Sequence, residues 1–415
     1  MIVNEDFIMI KRPEYLKTLI RWKDKEELIK VITGIRRSGK STLLLLFQKY
    51  LKEQGIADNQ ILSVNFEMMD NAPLLDYKAL HTYILDHCVP NKMNYVFLDE
   101  IQLVAEFPKA INSLRLHKNI DLYITGSNAY MFSNQLTTLL GGRYIEIEML
   151  PLSFQEYMSA FPELEEGAYD RKFDEYVTYG SFPQVLDFYH KEGFDNLAWH
   201  NYLESVYSTI IVKDIMLRQG IQNLSKLERV IRFMFSNIGS ELSLSKISNV
   251  LSADSKSNIH TQTIENYTEG LLEGYAFYKV LPNYLKGKGR LRSNAKYYAA
   301  DTGLRYFLLG GNAGQDSGHI LENIVFLELK RRGYEIETGR TSKGEIDFVA
   351  TLPGGKIEYY QVAQSVLDEK TFEREIRPLQ SMKDNYPKFI LTRDYNTGND
   401  KGIEILNVLK WLMNK

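Results

Sequence analysis

A single cysteine, Cys88, stands in the 415 residues. That excludes an internal disulfide and any metal centre built from several thiolates, and it fits a reducing compartment. Long apolar runs are also missing. Nowhere do about eighteen apolar residues follow one another, so no segment reads as a membrane-crossing helix. The early Glu5 and Asp6, with no apolar stretch beside them, argue against a secretory signal, and a cytoplasmic protein with no membrane partner is expected. Nor is there a surplus of charge of one sign. Fifty Lys and Arg face 53 Asp and Glu, for a net charge of -3, which argues against a uniformly basic nucleic-acid coat and leaves room only for a local patch. What remains is ordinary for a folded globular protein, with 44% hydrophobic and 25% charged residues. The length exceeds what one core supports, so about two to three domains are expected.

Residues 34–41 read Gly-Ile-Arg-Arg-Ser-Gly-Lys-Ser, a full G-x-x-x-x-G-K-S pattern. The apolar stretch 28–33 before them predicts a buried strand. After them Leu43, Leu44, Phe47 and Leu51 recur at helical spacing until Gly55. Strand, glycine-rich loop and helix in that order make a phosphate cradle. Backbone amides of the loop converge on phosphate oxygens, and the helix N-terminus adds its positive end to the same point. The residues expected to hold the nucleotide are Gly34, Ile35, Arg36, Arg37, Ser38, Gly39, Lys40, Ser41 and Thr42. Lys40 supplies a mobile charge for the outer phosphates, and the Ser41 hydroxyl is placed to ligate magnesium, so ATP and magnesium are the expected ligands. Arg36 and Arg37 cannot both point at phosphate, because loop curvature turns successive side chains apart. One of them is left to face a neighbouring domain.

Hydrolysis needs acids beside that cradle. Residues 95–100, Tyr-Val-Phe-Leu-Asp-Glu, form an apolar strand ending in two carboxylates. Asp99 is expected to hold magnesium through its water shell, and Glu100 to take a proton from the attacking water. Two more strands, 61–64 and 122–125, lead into Asn65 and into Gly126-Ser127-Asn128. Ligands of open α/β sheets bind at the carboxyl ends of strands, which puts these polar tips at the nucleotide site. Asn128 or Ser127 would orient the attacking water, and Asn65 would restrain Glu100. The competing reading is that Asn and Ser end strands because they make turns.

The 34–41 run, Asp99-Glu100 followed by Ile101-Gln102, the 125–128 tip, and Gly142-Arg143-Tyr144 followed by Pro151-Leu152-Ser153-Phe154 together resemble the prokaryotic AAA+ ATP-binding proteins that carry a C-terminal domain of unknown function. The resemblance extends over nearly the whole chain, including Tyr179-Gly180-Ser181-Phe182-Pro183, where Ser181 replaces the usual second glycine. It implies an arginine that completes the catalytic site, often from a neighbouring subunit. Arg143, after two glycines and before the alternating strand 144–149, is the best match; as a plain alternative it is a surface arginine closing a turn. A homo-oligomer is one way to supply it.

From 151 to 220 aromatic residues recur at helical spacing, which predicts core-forming rings in a helical lid. Residues 221–310 read as three helices, 227–238, 243–251 and 261–273, followed by strands 275–281 and 295–300. That is a winged helix-turn-helix order, with the third helix in the major groove of duplex DNA. The turn between the strands holds Lys286, Lys288, Arg290, Arg292 and Lys296 with no acid among them, and the segment carries 12 basic against seven acidic residues. Such a turn suits phosphate contacts. A protein-contact module, or a solvated charged loop, is the competing reading.

Beyond the glycine-rich stretch 310–314 the pattern reads helix 320–331, strands 334–339, 345–351 and 356–363, helix 370–379 and strand 388–392. This order resembles the PD-(D/E)xK nuclease-like fold. The resemblance implies acids on the first helix and second strand and E-x-K on the third around bound metal. Glu322 and Asp347 match the first two positions, but the third reads Gln361-Val362-Ala363. A neutral amide is a weaker ligand than a carboxylate, and alanine cannot activate water. Lys343 and Lys356 are the nearby substitutes, approaching from another direction. The expected architecture is therefore a P-loop α/β ATPase domain (1–150), a helical lid (151–220), a winged helix (221–310) and a nuclease-like α/β domain (311–415) that binds rather than cuts. The expected function is ATP hydrolysis that controls contact with DNA or a protein. An ATP-gated nuclease and a non-hydrolysing nucleotide switch are the alternatives.

Overall fold

The computed structural model describes residues 10–414 except 128–139, 163, 165, 191–192, 217–220, 222, 254–258, 285–293 and 312–316. It divides into two compact units, the first Met1–Pro151 with Glu273–Tyr275, the second Leu152–Leu272 with Ala276–Lys415.

The first unit alternates helix and strand: α1 (Pro13–Trp22), β1 (Ile29–Thr33), α2 (Lys40–Glu53), β2 (Ile61–Asn65), α3 (Tyr77–His87), β3 (Asn94–Asp99), α4 (Phe107–Leu114), β4 (Ile120–Thr125) and β5 (Tyr144–Glu148). The strands pair in parallel in the order β2-β3-β4-β1-β5. A parallel sheet is covered on both faces, so its inner strands are apolar throughout. On β3, Tyr95 and Phe97 pack into a core with Leu43, Phe47 and Leu51 of α2, while Val96 and Leu98 pack into another with Leu80, Ile84 and Ile111 of α3 and α4. Alternate side chains of one strand thus serve two cores.

The second unit opens with α5 (Phe154–Met158), α6 (Tyr169–Tyr179) and, beyond a short hairpin of β6 (Tyr189–His190) and β7 (Gly193–Phe194), α7 (Asn196–Ser208). The aromatic stripe is core, as its spacing predicts. Phe154 meets Phe173 edge-on at 5.3 Å and Tyr176 at 5.5 Å. Next come α8 (Leu224–Ser236), β8 (Glu241–Leu242), α9 (Leu244–Ala253), α10 (Thr261–Glu273), β9 (Phe277–Val280), β10 (Pro282–Tyr284), β11 (Ala295–Ala299) and α11 (Thr302–Leu309). β9 and β11, the two strands expected from the sequence, pair antiparallel, with β8 added on the far side of β11 to make a three-stranded sheet.

The sequence reading did not contain β10 and α11. α11 explains the 179–183 motif. Gly180 has φ +91°, and a Cβ there would lie 2.6 Å from the Asp301 carboxylate. Ser181 donates to that carboxylate from its backbone N (2.6 Å) and its hydroxyl (2.8 Å), and Asp301 caps α11 through Leu304 N at 2.7 Å. Ser181 therefore adds a bond that a glycine lacks.

The chain continues with α12 (Ser317–Arg331), β12 (Glu335–Thr341), β13 (Gly344–Thr351), β14 (Ile357–Ala363), α13 (Glu369–Gln380), β15 (Lys388–Thr392), β16 (Gly398–Asp400), β17 (Ile403–Asn407) and α14 (Val408–Leu412). Their sheet runs β10-β12-β13-β14-β15-β17-β16, so β10 crosses over to extend it. The compact unit runs through 220 and 310 without division.

Candidate functional site

β1 ends at Thr33, the loop turns at once, and α2 begins at Lys40. Gly34 has φ +130°, and a Cβ there would stand 2.2 Å from the Met149 carbonyl oxygen, so only glycine fits between the strands. Arg37 (φ 67°) and Gly39 (φ 99°) are left-handed, and alternating handedness turns successive N–H groups toward one concavity. Lys40 is buried and donates to the Gly34 and Ile35 carbonyls at 2.9 and 3.1 Å. The Ser38 hydroxyl is buried without a hydrogen-bond partner among the described residues. An orphaned donor, two left-handed residues and a lysine at one concavity fit a bound phosphate. The paired arginines part as expected: Arg36 lies 3.5 Å from Glu67, and Arg37 is exposed. Thr42 is half-buried on the first turn of α2.

The loop has a further support that the sequence reading missed. Arg12, buried and left-handed just before α1, donates to Ser38 O (3.0 Å) in the loop and to Leu150 O (2.6 Å) beyond β5. Its guanidinium also lies over the Tyr15 ring at 4.8 Å.

Asp99 and Glu100 stand at the end of β3, with Glu100 left-handed at φ 57°. Asp99 accepts from Asn65 Nδ2 at 2.9 Å and from Thr125 Oγ1 at 2.5 Å. Burial raises its pKa and the Glu100 charge adds to that; hydrogen bonds from the Thr125 and Ser41 hydroxyls and the Lys40 charge oppose it. The loop and the acid pair therefore meet. Glu100 accepts from Ser127 Oγ at 3.3 Å and from Gln102 Nε2. Asn65 bonds Asp99, which corrects the expectation that it restrains Glu100. Asn65 Nδ2 reaches the carboxylate that ends the adjacent strand in register with it, whereas Glu100 has already turned toward β4. Asn128 lies outside the described residues.

Arg143 precedes β5, which pairs in parallel with β1 from Tyr144 opposite Ile29. Its end of the sheet is opposite the loop, about 16 Å away at about 3.3 Å per residue. The exposed Arg143 therefore stands at the end of β5 far from the loop of its own chain. It neighbours Arg115, whose pKa is lowered by partial burial and by the Arg143 charge.

In the second unit, Glu322 of α12 and Asp347 of β13 come together as their positions imply, and Lys296 of β11 joins them. Lys296 Nζ lies 2.9 Å from Glu322, 2.8 Å from Glu345 and 3.8 Å from Asp347. Burial and then the Glu322 charge push the Asp347 pKa well up, while for Glu322 burial, the largest single effect, is outweighed by the Lys296 charge together with hydrogen bonds from His319, Tyr298 and Lys296, so its pKa is lowered. Gln361 donates to Glu375 at 2.7 Å and accepts from Asp347 N at 3.3 Å. Of the substitute lysines, Lys356 pairs with Glu358 at 2.7 Å and Lys343 is exposed at the pocket. Lys296, which the sequence groups with the charged turn, is instead interior, with three carboxylates around its ammonium. The other turn residues, Lys286, Lys288, Arg290 and Arg292, lie outside the described residues.

Residues 26–158 match the AAA domain family, and residues 170–315 match a domain of unknown function (DUF8612). An uncharacterized protein of Haemophilus influenzae is 39% identical over 98% of this chain and 99% of its own length. One of Methanocaldococcus jannaschii is 27% identical over 98% and 90%. Among solved structures, the Walker-type ATPase of Pyrococcus abyssi is similar with a TM-score of 0.47 at 15% identity, covering 72% of this chain and 96% of that one. No described helix is long and apolar enough to cross a membrane.

Proposed function

Since the chain belongs to the family of AAA-type P-loop ATPases, we propose that it binds ATP in the 34–42 loop, hydrolyses it, and uses the change of nucleotide state to control contact with DNA or a protein partner. The observation that carries this reading is the meeting of Ser41 and Lys40 with Asp99, beside a Glu100 tied by Ser127. Lys40 exchanges two neutral carbonyl partners for phosphate oxygens, a charge-assisted gain. Ser41 and Asp99 are the residues that would hold magnesium, which when bound neutralises charge on the outer phosphates. Glu100 takes the proton of the attacking water once its carboxylate is released from Ser127 and Gln102. A non-hydrolysing switch would have no use for that second acid.

The test is paired. Lys40→Ala should abolish binding of a fluorescent ATP analogue, and Glu100→Gln should keep binding and stop phosphate release. Parental turnover in Glu100→Gln would pass the role of base to another group.

Arg143 fits a finger acting in trans, which implies assembly with a second copy. The helices α8 to α10 with the β8-β11-β9 sheet support a winged-helix reading. The exposed positions of α10 include Thr261, Gln262, Asn266 and Glu269 and no basic residue. DNA contact under this reading therefore runs through the basic turn 286–292 onto phosphates, without base recognition by the helix. The element order from α12 to β15 supports a nuclease-like fold kept for binding. A cytoplasmic setting fits the lone cysteine.

A further inference from the structure

A cavity of about 500 Å³ in the second unit is lined by Glu322, Glu345, Asp347 and Glu375, with His319, Lys343 and Arg374 also on its wall. One of the four acids has its own answer: Arg374 pairs with Glu375 at 2.7 Å. The other three share the Lys296 ammonium, and Glu322 also faces His319 Nδ1 at 3.4 Å. Lys296 lies within 2.9 Å of Glu322 and Glu345 and 3.8 Å of Asp347, with its side chain only 7% exposed. Carboxylates gathered this closely away from water repel one another unless a cation stands between them. An ammonium has three donors to offer, and three acids surround this one.

We propose that Lys296 is the resident cation of this pocket: its ammonium stands where the acids of a nuclease-like site would hold a divalent metal, and it closes the pocket to metal while β11 is docked.

Two further observations fit. The docking of β11 does not depend on the ammonium alone. Tyr298 donates to Glu322 at 2.7 Å, and the Asn323 amide exchanges two bonds with the Ala299 backbone, at 2.7 and 2.9 Å. The departure at Gln361 also acquires a reason. A carboxylate there would add a further acid beside the three that already share one lysine, whereas the neutral amide bonds Glu375 and the Asp347 backbone without adding charge. The lysine missing at Ala363 and the acid missing at Gln361 are then two sides of one change, in which a monovalent cation carried by the chain replaces a bound divalent one. The inference rests on the nuclease-like reading for what the pocket is derived from, but the contacts of Lys296 with the three acids stand without it.

The probe is Mn²⁺ alone, added to the full chain without nucleotide and followed by the paramagnetic resonance of the free ion. The parent should show no Mn²⁺ binding that depends on Asp347. Lys296→Met should gain a site at least about tenfold tighter than any in the parent, because the like charge is gone. Adding Asp347→Asn should remove that site. Lys296→Gln, which keeps a polar group among the acids, serves if the methionine variant does not fold. The proposal is overturned if the parent binds Mn²⁺ in an Asp347-dependent manner, since Lys296 would then act beside a metal. It is equally overturned if a folded Lys296 variant gains no site. ATP-analogue binding in the same samples reports on the 34–42 loop separately: its failure with the Mn²⁺ pattern intact would sink the ATPase reading and leave this one.

Discussion

Lys30 sits inside the strand that feeds the phosphate loop, with its side chain and that of its partner Asp121 both 0% exposed. Read along the sequence, 28–33 is an apolar strand interrupted by a charge. The strand was legible, but the reason it tolerates the lysine was not, because the answering carboxylate is 91 residues away on β4. Tyr123 and the Asp24 backbone complete that carboxylate's bonds, at 2.7 and 3.0 Å. Removing one member leaves a buried charge unanswered. Asp121→Ala should therefore cost about 3–5 kcal/mol in chemical denaturation, while the paired Lys30→Met with Asp121→Leu should recover part of that loss, the Tyr123 hydroxyl and the Asp24 N–H still lacking their acceptor. A double variant as unstable as the single one would show that packing, not charge, sets the cost. The loop residues themselves were legible because each has a local chemical task. Arg12 was not, since its partners are backbone carbonyls, which carry no sequence signal.

At the level of elements, most strands of the first unit begin and end within a few residues of where the apolar pattern puts them, and α10 spans 261–273 as read. The two-residue β8 and three-residue β10 are too short to show a period. Direction matters more than extent for β5. Because it runs parallel to β1, its leading residue Arg143 faces away from its own chain's nucleotide loop. Arg143→Ala should then lose about 10³-fold or more in turnover with little change in ATP affinity. Mixing Arg143→Ala with Glu100→Gln protein should restore part of the rate, since each supplies what the other lacks. Absence of recovery at every ratio would count against action in trans.

For the whole molecule, a net charge of -3 leaves the proposed nucleic-acid contact to a local patch, for which the basic stretch 286–292 is the candidate. Neutralising Lys286, Lys288, Arg290 and Arg292 together should weaken duplex binding alike for all sequences and flatten its salt dependence, by a slope of about 0.9 per lost phosphate contact. Unchanged binding in fluorescence polarisation would favour a protein partner. Composition pointed to a local patch but not to the fate of Lys296, which belongs to the same basic run and ends in the interior. Proximity in sequence cannot tell a solvated charge from a buried one when the acids that claim it come from α12 and β13.

The crossing of β10 has a practical consequence for fragments of this protein. β9 and β10 are consecutive in sequence, yet one pairs with β11 and the other with β12, so a cut after residue 310 would strip the partner from an edge strand whose amides and carbonyls are now paired. Bare strand edges recruit other chains. The piece 1–310 should accordingly be recovered in aggregates, as measured by light scattering, where the full chain stays dispersed. A monodisperse 1–310 piece would show that the suture is dispensable. If the suture holds, unfolding of the second unit should appear as a single cooperative transition, with the segments on either side of residue 310 melting together.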